Sequence, residues 1–195
     1  DPPPGEAVVA LGLEQVDRDE RRPDVGQQAP QRTGFAGSPD KAADVLAHLP
    51  SLDWVVVGEW FSDWQQVVHR AQRAGVAARI HQIGQVPDAV LKALYDRAVC
   101  LLFPSRHEGF GLPIIEALAA GTPVVTADAE GSVETLGGAG VVCNADDGLC
   151  FAHAVAGFLA NGRPRDGGRE RAARFTWSAC GAQLARIMEA VGAEP

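Results

Sequence analysis

Two glutamates and two glycines in one short run carry the most chemistry in this chain. In PSRHEGFGLPIIEALAAGTPVVTA, Glu108 leads a Gly109–Phe110–Gly111 turn, Pro113 follows, and Glu116 lies in a stretch that reads as a helix ending at Gly121. Glycines directly before a helix let backbone N–H groups approach an anion closely, and the helix dipole adds about half a positive charge at that end. The turn is therefore a cradle of diphosphate size. A carboxylate aimed at the same anion would repel it. The glutamates are better matched to the vicinal hydroxyls of sugars, which donate two hydrogen bonds to a group that only accepts. Phosphates in the middle with polyols on both sides describe a nucleoside diphosphate sugar. The plainer alternative is a tight turn followed by a glutamate that complements the dipole.

A turn of this kind needs a sheet behind it, and the flanking pattern supplies one. Short apolar runs at Thr33–Ala36, Trp54–Gly58, Arg79–Gly84, Cys100–Pro104, Pro123–Ala127 and Gly140–Cys143 read as strands, several ending in Gly or Pro as strands buried on both faces do. Between them, Pro39–His48, Asp63–Ala74, Asp88–Arg97, Pro113–Ala120 and Asp147–Ala160 read as amphipathic helices, with a helical tail over Arg169–Val191. Pro113 falls at the expected first helical position, where its missing N–H costs nothing. Regular alternation of strand and helix demands crossovers in a parallel sheet. The expectation is a doubly wound, Rossmann-like α/β domain over residues 31–195, with residues 1–30 a partly irregular linker or N-terminal remnant. In such a sheet the ligand lies at the carboxyl ends of the strands, near the switch in strand order.

Composition narrows the classes. With 46% hydrophobic and 22% charged residues the chain can build a core, so disorder is excluded. Its formal net charge of −8, with no basic block, argues against nucleic acid or an anionic membrane as partner, since both need a clustered positive face. No apolar run reaches the length of a membrane span. Cys100, Cys143, Cys150 and Cys180 are spread out with no C-x-x-C, so the expectation is four separate core cysteines, no metal and a cytoplasmic location. The first residue is Asp1 and the only methionine is Met188, which fits an excised domain.

The run EGFGLPIIEALAAGTPVV resembles the signature of the family 4 retaining glycosyltransferases, in which two glutamates with seven residues between them flank a Gly–Phe–Gly–Leu–Pro loop. The resemblance extends to WVVVGEW, RIHQIGQVPDAVLKALYDRAVCLLFPS, GSVETLGGAGVVCNADD and RFTW, covering about Gly34 to Met188. It implies the C-terminal, donor-binding half of a two-domain GT-B enzyme. By that resemblance Glu116 binds the ribose hydroxyls, Glu108 lies beside the donor sugar as the catalytic-site residue, and the backbone of Gly109, Phe110, Gly111 and Leu112 faces the sugar and distal phosphate. Gly37 and Gly58 match glycines in loops that approach the donor. No bound metal or cofactor is implied, because basic side chains neutralise the departing diphosphate. The acceptor is met through a missing N-terminal domain.

One departure bears on catalysis more than on fold. The family carries an Arg soon after the first glycine turn and a Lys a few residues later, whereas here Ser38 and Pro39 follow Gly37 and only Lys41 is available. Lys41 is either the remaining phosphate contact or a solvated helix residue; Arg106, just before the turn, is a second cation close to the cradle. His107 adjoins Glu108, while His48, His69, His81 and His153 stand singly and read as packed or solvated. Trp54, Trp60 and Trp64 are read as packing residues before base-stacking ones, and Glu134 as structural. Two rivals stay open: a non-catalytic nucleotide-sugar-binding module with a weakened phosphate site, and a sugar-nucleotide epimerase or glycan phosphorylase on a related scaffold.

Overall fold

The computed structural model describes residues 6–11, 40–58, 64–162 and 167–192. Six strands form one sheet: β1 (Glu6–Leu11), β2 (Leu52–Val57), β3 (Ile80–Gly84), β4 (Leu101–Phe103), β5 (Val124–Ala127) and β6 (Val141–Cys143). Their order is β3-β2-β1-β4-β5-β6, with every neighbouring pair parallel. Helices α1 (Asp40–His48), α2 (Trp64–Arg73), α3 (Asp88–Arg97), α4 (Leu112–Ala120), α5 (Glu130–Leu136), α6 (Gly148–Asn161), α7 (Gly168–Ala172) and α8 (Trp177–Gly192), with a short 3-10 turn at Ala77–Arg79, complete the described elements. The doubly wound α/β expectation holds. The switch in strand order falls between β1 and β4, so β4 delivers its outgoing loop where such sheets bind ligands.

Alternation along β4 shows why these residues make a two-sided sheet. Leu102 joins a core with Trp54, Val56, Val125, Phe151 and Val155, beneath α1, α2 and α6. Leu101 and Phe103 point the other way, into a core with Tyr95, Ile114, Leu118 and Leu136. A strand buried on both faces has no polar side, which is why β4 and β5 read as unbroken apolar runs.

Three expectations are corrected. Residues 1–30 are expected above to be a partly irregular linker or N-terminal remnant outside the sheet domain; within them Glu6–Leu11 is a central strand of that sheet, paired with β2 (Glu6 opposite Leu52) and with β4 (Val9 opposite Leu101). The strand is itself a short apolar run, EAVVAL, but the long polar stretch that follows it sets it apart from the strand–helix alternation; the strand expected at Thr33–Ala36 lies outside the described residues. The single tail helix is broken into α7 and α8, because the chain turns at Ala173–Phe175 and restarts where the Thr176 hydroxyl accepts the Ala179 N–H at 3.1 Å. The cysteines do not all stand apart. Cys143 closes β6 and Cys150 opens α6, and the short loop between folds them into a disulfide with Cα atoms 5.8 Å apart. Cys100 is a buried thiol and Cys180 an exposed one. The cysteines therefore give no ground for assigning a reducing compartment. No helix among the described residues is long and apolar enough to cross a membrane.

Candidate functional site

The glycine turn sits where the sheet topology directs it. The chain leaves β4 at Pro104, passes Arg106, His107 and Glu108, and enters α4 through Gly111. Gly111 is the cap residue, with φ 84° and ψ 58°, a left-handed conformation that only glycine adopts without strain. A Cβ there would also stand 3.1 Å from Ile114 Cδ1. Leu112 is the first helical residue, so Pro113 is the second, one later than expected; its missing N–H still falls among the unpaired donors of the first turn. A Cβ on Gly109 would meet nothing within 4 Å, so that side of the turn is open.

The two glutamates have different surroundings. Glu108 is half-buried; burial pushes its carboxyl above the ordinary range, against an opposing hydrogen bond from Ser105. Glu116 Oε2 accepts a 3.0 Å hydrogen bond from the Tyr95 hydroxyl. Burial of its carboxyl, reinforced by the charge of Asp88, raises the Glu116 pKa, and the Tyr95 bond partly offsets that rise. Tyr95 is 2% exposed and its hydroxyl is held strongly protonated, first by burial and then by the Glu116 charge. The pair is therefore a fixed donor and acceptor, leaving Glu116 Oε1 outside that hydrogen bond.

Cations are the weaker part of the arrangement. Arg106 pairs with both carboxylate oxygens of Asp146, in the loop after β6. That loop is organised by Asp128, which accepts from Asn144 Nδ2 and Ala145 N, each at 3.1 Å. Gly58, buried with φ 116°, ends β2 at the same edge of the sheet and donates its N–H to the Gly84 carbonyl at 2.9 Å. Phe110 and Leu112 are 40% and 47% exposed. Gly37 lies outside the described residues, and for Lys41 only the backbone, in the first turn of α1, is described. Trp54 and Trp64 are core residues, and Trp60 lies outside the described residues. No group of acidic, cysteine and histidine side chains among the described residues could hold a metal ion. A cavity of about 300 Å³ lies at the opposite edge of the sheet, between the turns that lead into β5 and β6, and is separate from the glycine turn.

Sequence reasoning missed the backing of the turn. Helix α5 packs so closely behind it that a Cβ on Gly131 would be 2.3 Å from the Glu108 carbonyl oxygen. The Thr135 hydroxyl, from the same helix, donates to the Phe110 carbonyl. Tyr95 was missed too, although it is the only tyrosine in the chain and faces Glu116 from α3.

A parallel doubly wound sheet with a glycine-capped helix and flanking carboxylates at its switch point is a Rossmann-like α/β domain with its open loops at the strands' carboxyl ends. The chain belongs to the group 1 glycosyl transferases: the model of that family, "Glycosyl transferases group 1", matches residues 25–161. It is 30% identical over 174 residues to a phosphatidyl-myo-inositol mannosyltransferase of Mycobacterium leprae, covering 86% of this chain and 46% of that protein. Its fold matches Anabaena Alr3699/HepE, solved in complex with UDP and glucose, with a TM-score of 0.74 at 20% identity over 96% of this chain and 49% of that one. It also matches the C-terminal domain of a glycosyl transferase group 1 family protein (LpcC) from Francisella tularensis, at 18% identity with a TM-score of 0.65, covering 87% and 86% of the two chains. The fold is that of a C-terminal GT-B domain. The chain spans less than half the length of the curated relative.

Proposed function

We propose that this chain is the sugar-donor-binding half of a retaining glycosyltransferase. The observation that carries the reading is the turn from Glu108 to Gly111, which caps α4 at the strand-order switch and has carboxylates on both sides. In this reading the diphosphate lies against the N–H groups at the start of α4, Glu116 accepts from the ribose hydroxyls while Tyr95 holds its other oxygen, and Glu108 lies beside the transferred sugar. The UDP and glucose in the HepE structure support the ligand class. Arg106, with Lys41, supplies positive charge for the departing diphosphate, in competition with Asp146.

The acceptor belongs to a second, N-terminal half. Two observations support this: the chain covers only 46% of a relative, and α8 has no buried residue while carrying Trp177, Leu184, Ile187, Met188 and Val191 exposed. Such a stripe at helical spacing needs a cover, and the preceding domain is the occupant we assign to it. Calorimetric titration with UDP-, GDP- and ADP-sugars tests the donor site. Binding of at least one at millimolar concentration or tighter is expected; no heat with any of them overturns the reading. The ion pair between Arg106 and Asp146 favours one rival, a binding module without turnover. That rival is separated by assaying the chain together with its N-terminal half for sugar transfer.

A further inference from the structure

Phe110 is held at two points, and both lead to the same arginine. Its carbonyl accepts from the Thr135 hydroxyl on α5. Its ring meets Phe175 edge to face, with centroids 5.3 Å apart and planes at 76°. The Arg171 guanidinium lies 4.7 Å over the Phe175 ring and donates to the backbone carbonyls of Thr135, at 3.0 Å, and Glu134. Those carbonyls belong to the last turn of α5, the end of a helix that attracts a cation. Gly137 lets Arg171 reach them: its φ is 54°, and a Cβ there would be 2.5 Å from the Arg171 Nε.

A trans peptide keeps its C=O and the next N–H antiparallel in one plane. Fixing the Phe110 carbonyl on the α5 side therefore turns the Gly111 N–H away from α5. Thr135 is 1% exposed, so its hydroxyl has little water to exchange for the Phe110 carbonyl. The close seat of Gly131 against Glu108 fixes the other end of the turn against the same helix.

We propose that Thr135 is a positioning residue for the sugar end of the donor site: through the Phe110 carbonyl it sets the direction in which the turn presents its N–H groups, with Arg171 and Phe175 as its brace. The proposal rests on the donor-site reading above. It places the hydroxyl's effect on the distal phosphate and sugar, and spares the ribose end held by Glu116.

The test uses the whole chain with Thr135→Val, which keeps the shape without the hydroxyl, and Thr135→Ser, which keeps the hydroxyl. Each is titrated with UDP-glucose, GDP-mannose and ADP-glucose and with the matching nucleoside monophosphates. Amide exchange is followed at Gly109–Leu112. The valine variant is expected to lose about tenfold in affinity for the nucleotide sugar, about 1.4 kcal/mol, with monophosphate binding little changed and faster exchange at Gly111. The serine variant is expected to match the parent in all three. Equal losses for sugar and monophosphate, a serine variant as impaired as the valine one, or unchanged exchange in the valine variant overturns the proposal. If the valine variant does not fold, the serine variant and Phe175→Leu decide it: the leucine variant must show the same selective loss. A parent chain that binds none of the ligands overturns the donor-site reading and the proposal with it, whereas a binding parent with an unaltered valine variant overturns the proposal alone.

Discussion

The Tyr95 hydroxyl and Glu116 Oε2, from neighbouring helices α3 and α4, are joined by a 3.0 Å hydrogen bond. Glu116 thus has a structural duty beside its assigned role toward ribose. Removing it with Glu116→Ala strands a buried hydroxyl, which costs about 1–3 kcal/mol of stability, and is expected to weaken nucleotide binding as well. Glu116→Gln keeps an acceptor for Tyr95 and is expected to lose less stability than the alanine variant. Urea unfolding and calorimetry on the two variants separate the contributions; equal stability of Glu116→Ala and parent removes the structural role.

Glu108 gives a pH prediction. Burial raises its folded-state pKa above the ordinary 4.5, so the folded state binds the proton more tightly than the unfolded one. Its contribution to stability is therefore favourable at low pH and is lost as pH rises from 4.5 through the raised value. Glu108→Gln, which cannot ionise, is expected to gain on the parent across that window and to show its largest relative stability at neutral pH. Unfolding free energies measured from pH 4 to 7 check the slope; a constant difference contradicts it.

Arg106 and Asp146 compete for the same charge. Asp146→Asn withdraws a carboxylate from Arg106 and is expected to tighten nucleoside diphosphate binding by about fivefold, near 1 kcal/mol, with a steeper loss at high salt. Arg106→Ala is expected to weaken it. Calorimetry at two ionic strengths reads both, and an Asp146→Asn variant that binds no tighter leaves Arg106 as a loop tie only.

Two glycines make a paired prediction. Gly131→Ala puts a methyl group 2.3 Å from the Glu108 carbonyl, and the forced shift is expected to cost about 1–3 kcal/mol together with ligand affinity. Gly157→Ala, inside α6 with nothing within 4 Å, is expected to gain about 0.5–1 kcal/mol and leave binding unchanged. Thermal unfolding with and without nucleotide compares them.

The parts that could be read from the sequence were those whose causes lie next to each other in the chain. Strands β2, β4, β5 and β6 are short, largely apolar runs, β3 (IHQIG) carries His81 and Gln82 between its two isoleucines, and the Glu108–Glu116 turn is one continuous segment, so pattern and spacing disclosed them. Strand β1, EAVVAL, is an apolar run too, but a long polar stretch separates it from the regular alternation, and its place in the sheet rests on pairing with residues as distant as Leu52 and Leu101. Helix α5, EGSVETL, has little helical signal of its own and is seated by Gly131 against a carbonyl in another loop. Tyr95 and Thr135 reach the site from elements on either side of it, a convergence that only folding produces.

The Cys143–Cys150 bridge joins residues seven positions apart and closes a loop that includes Asp146, the partner of Arg106. Whether those sulfurs are joined thus decides how tightly the carboxylate opposite Arg106 is tethered. Material prepared with a thiol reductant and material prepared without one are chemically distinct samples, and affinities measured on them are comparable only after the oxidation state of each has been determined by mass.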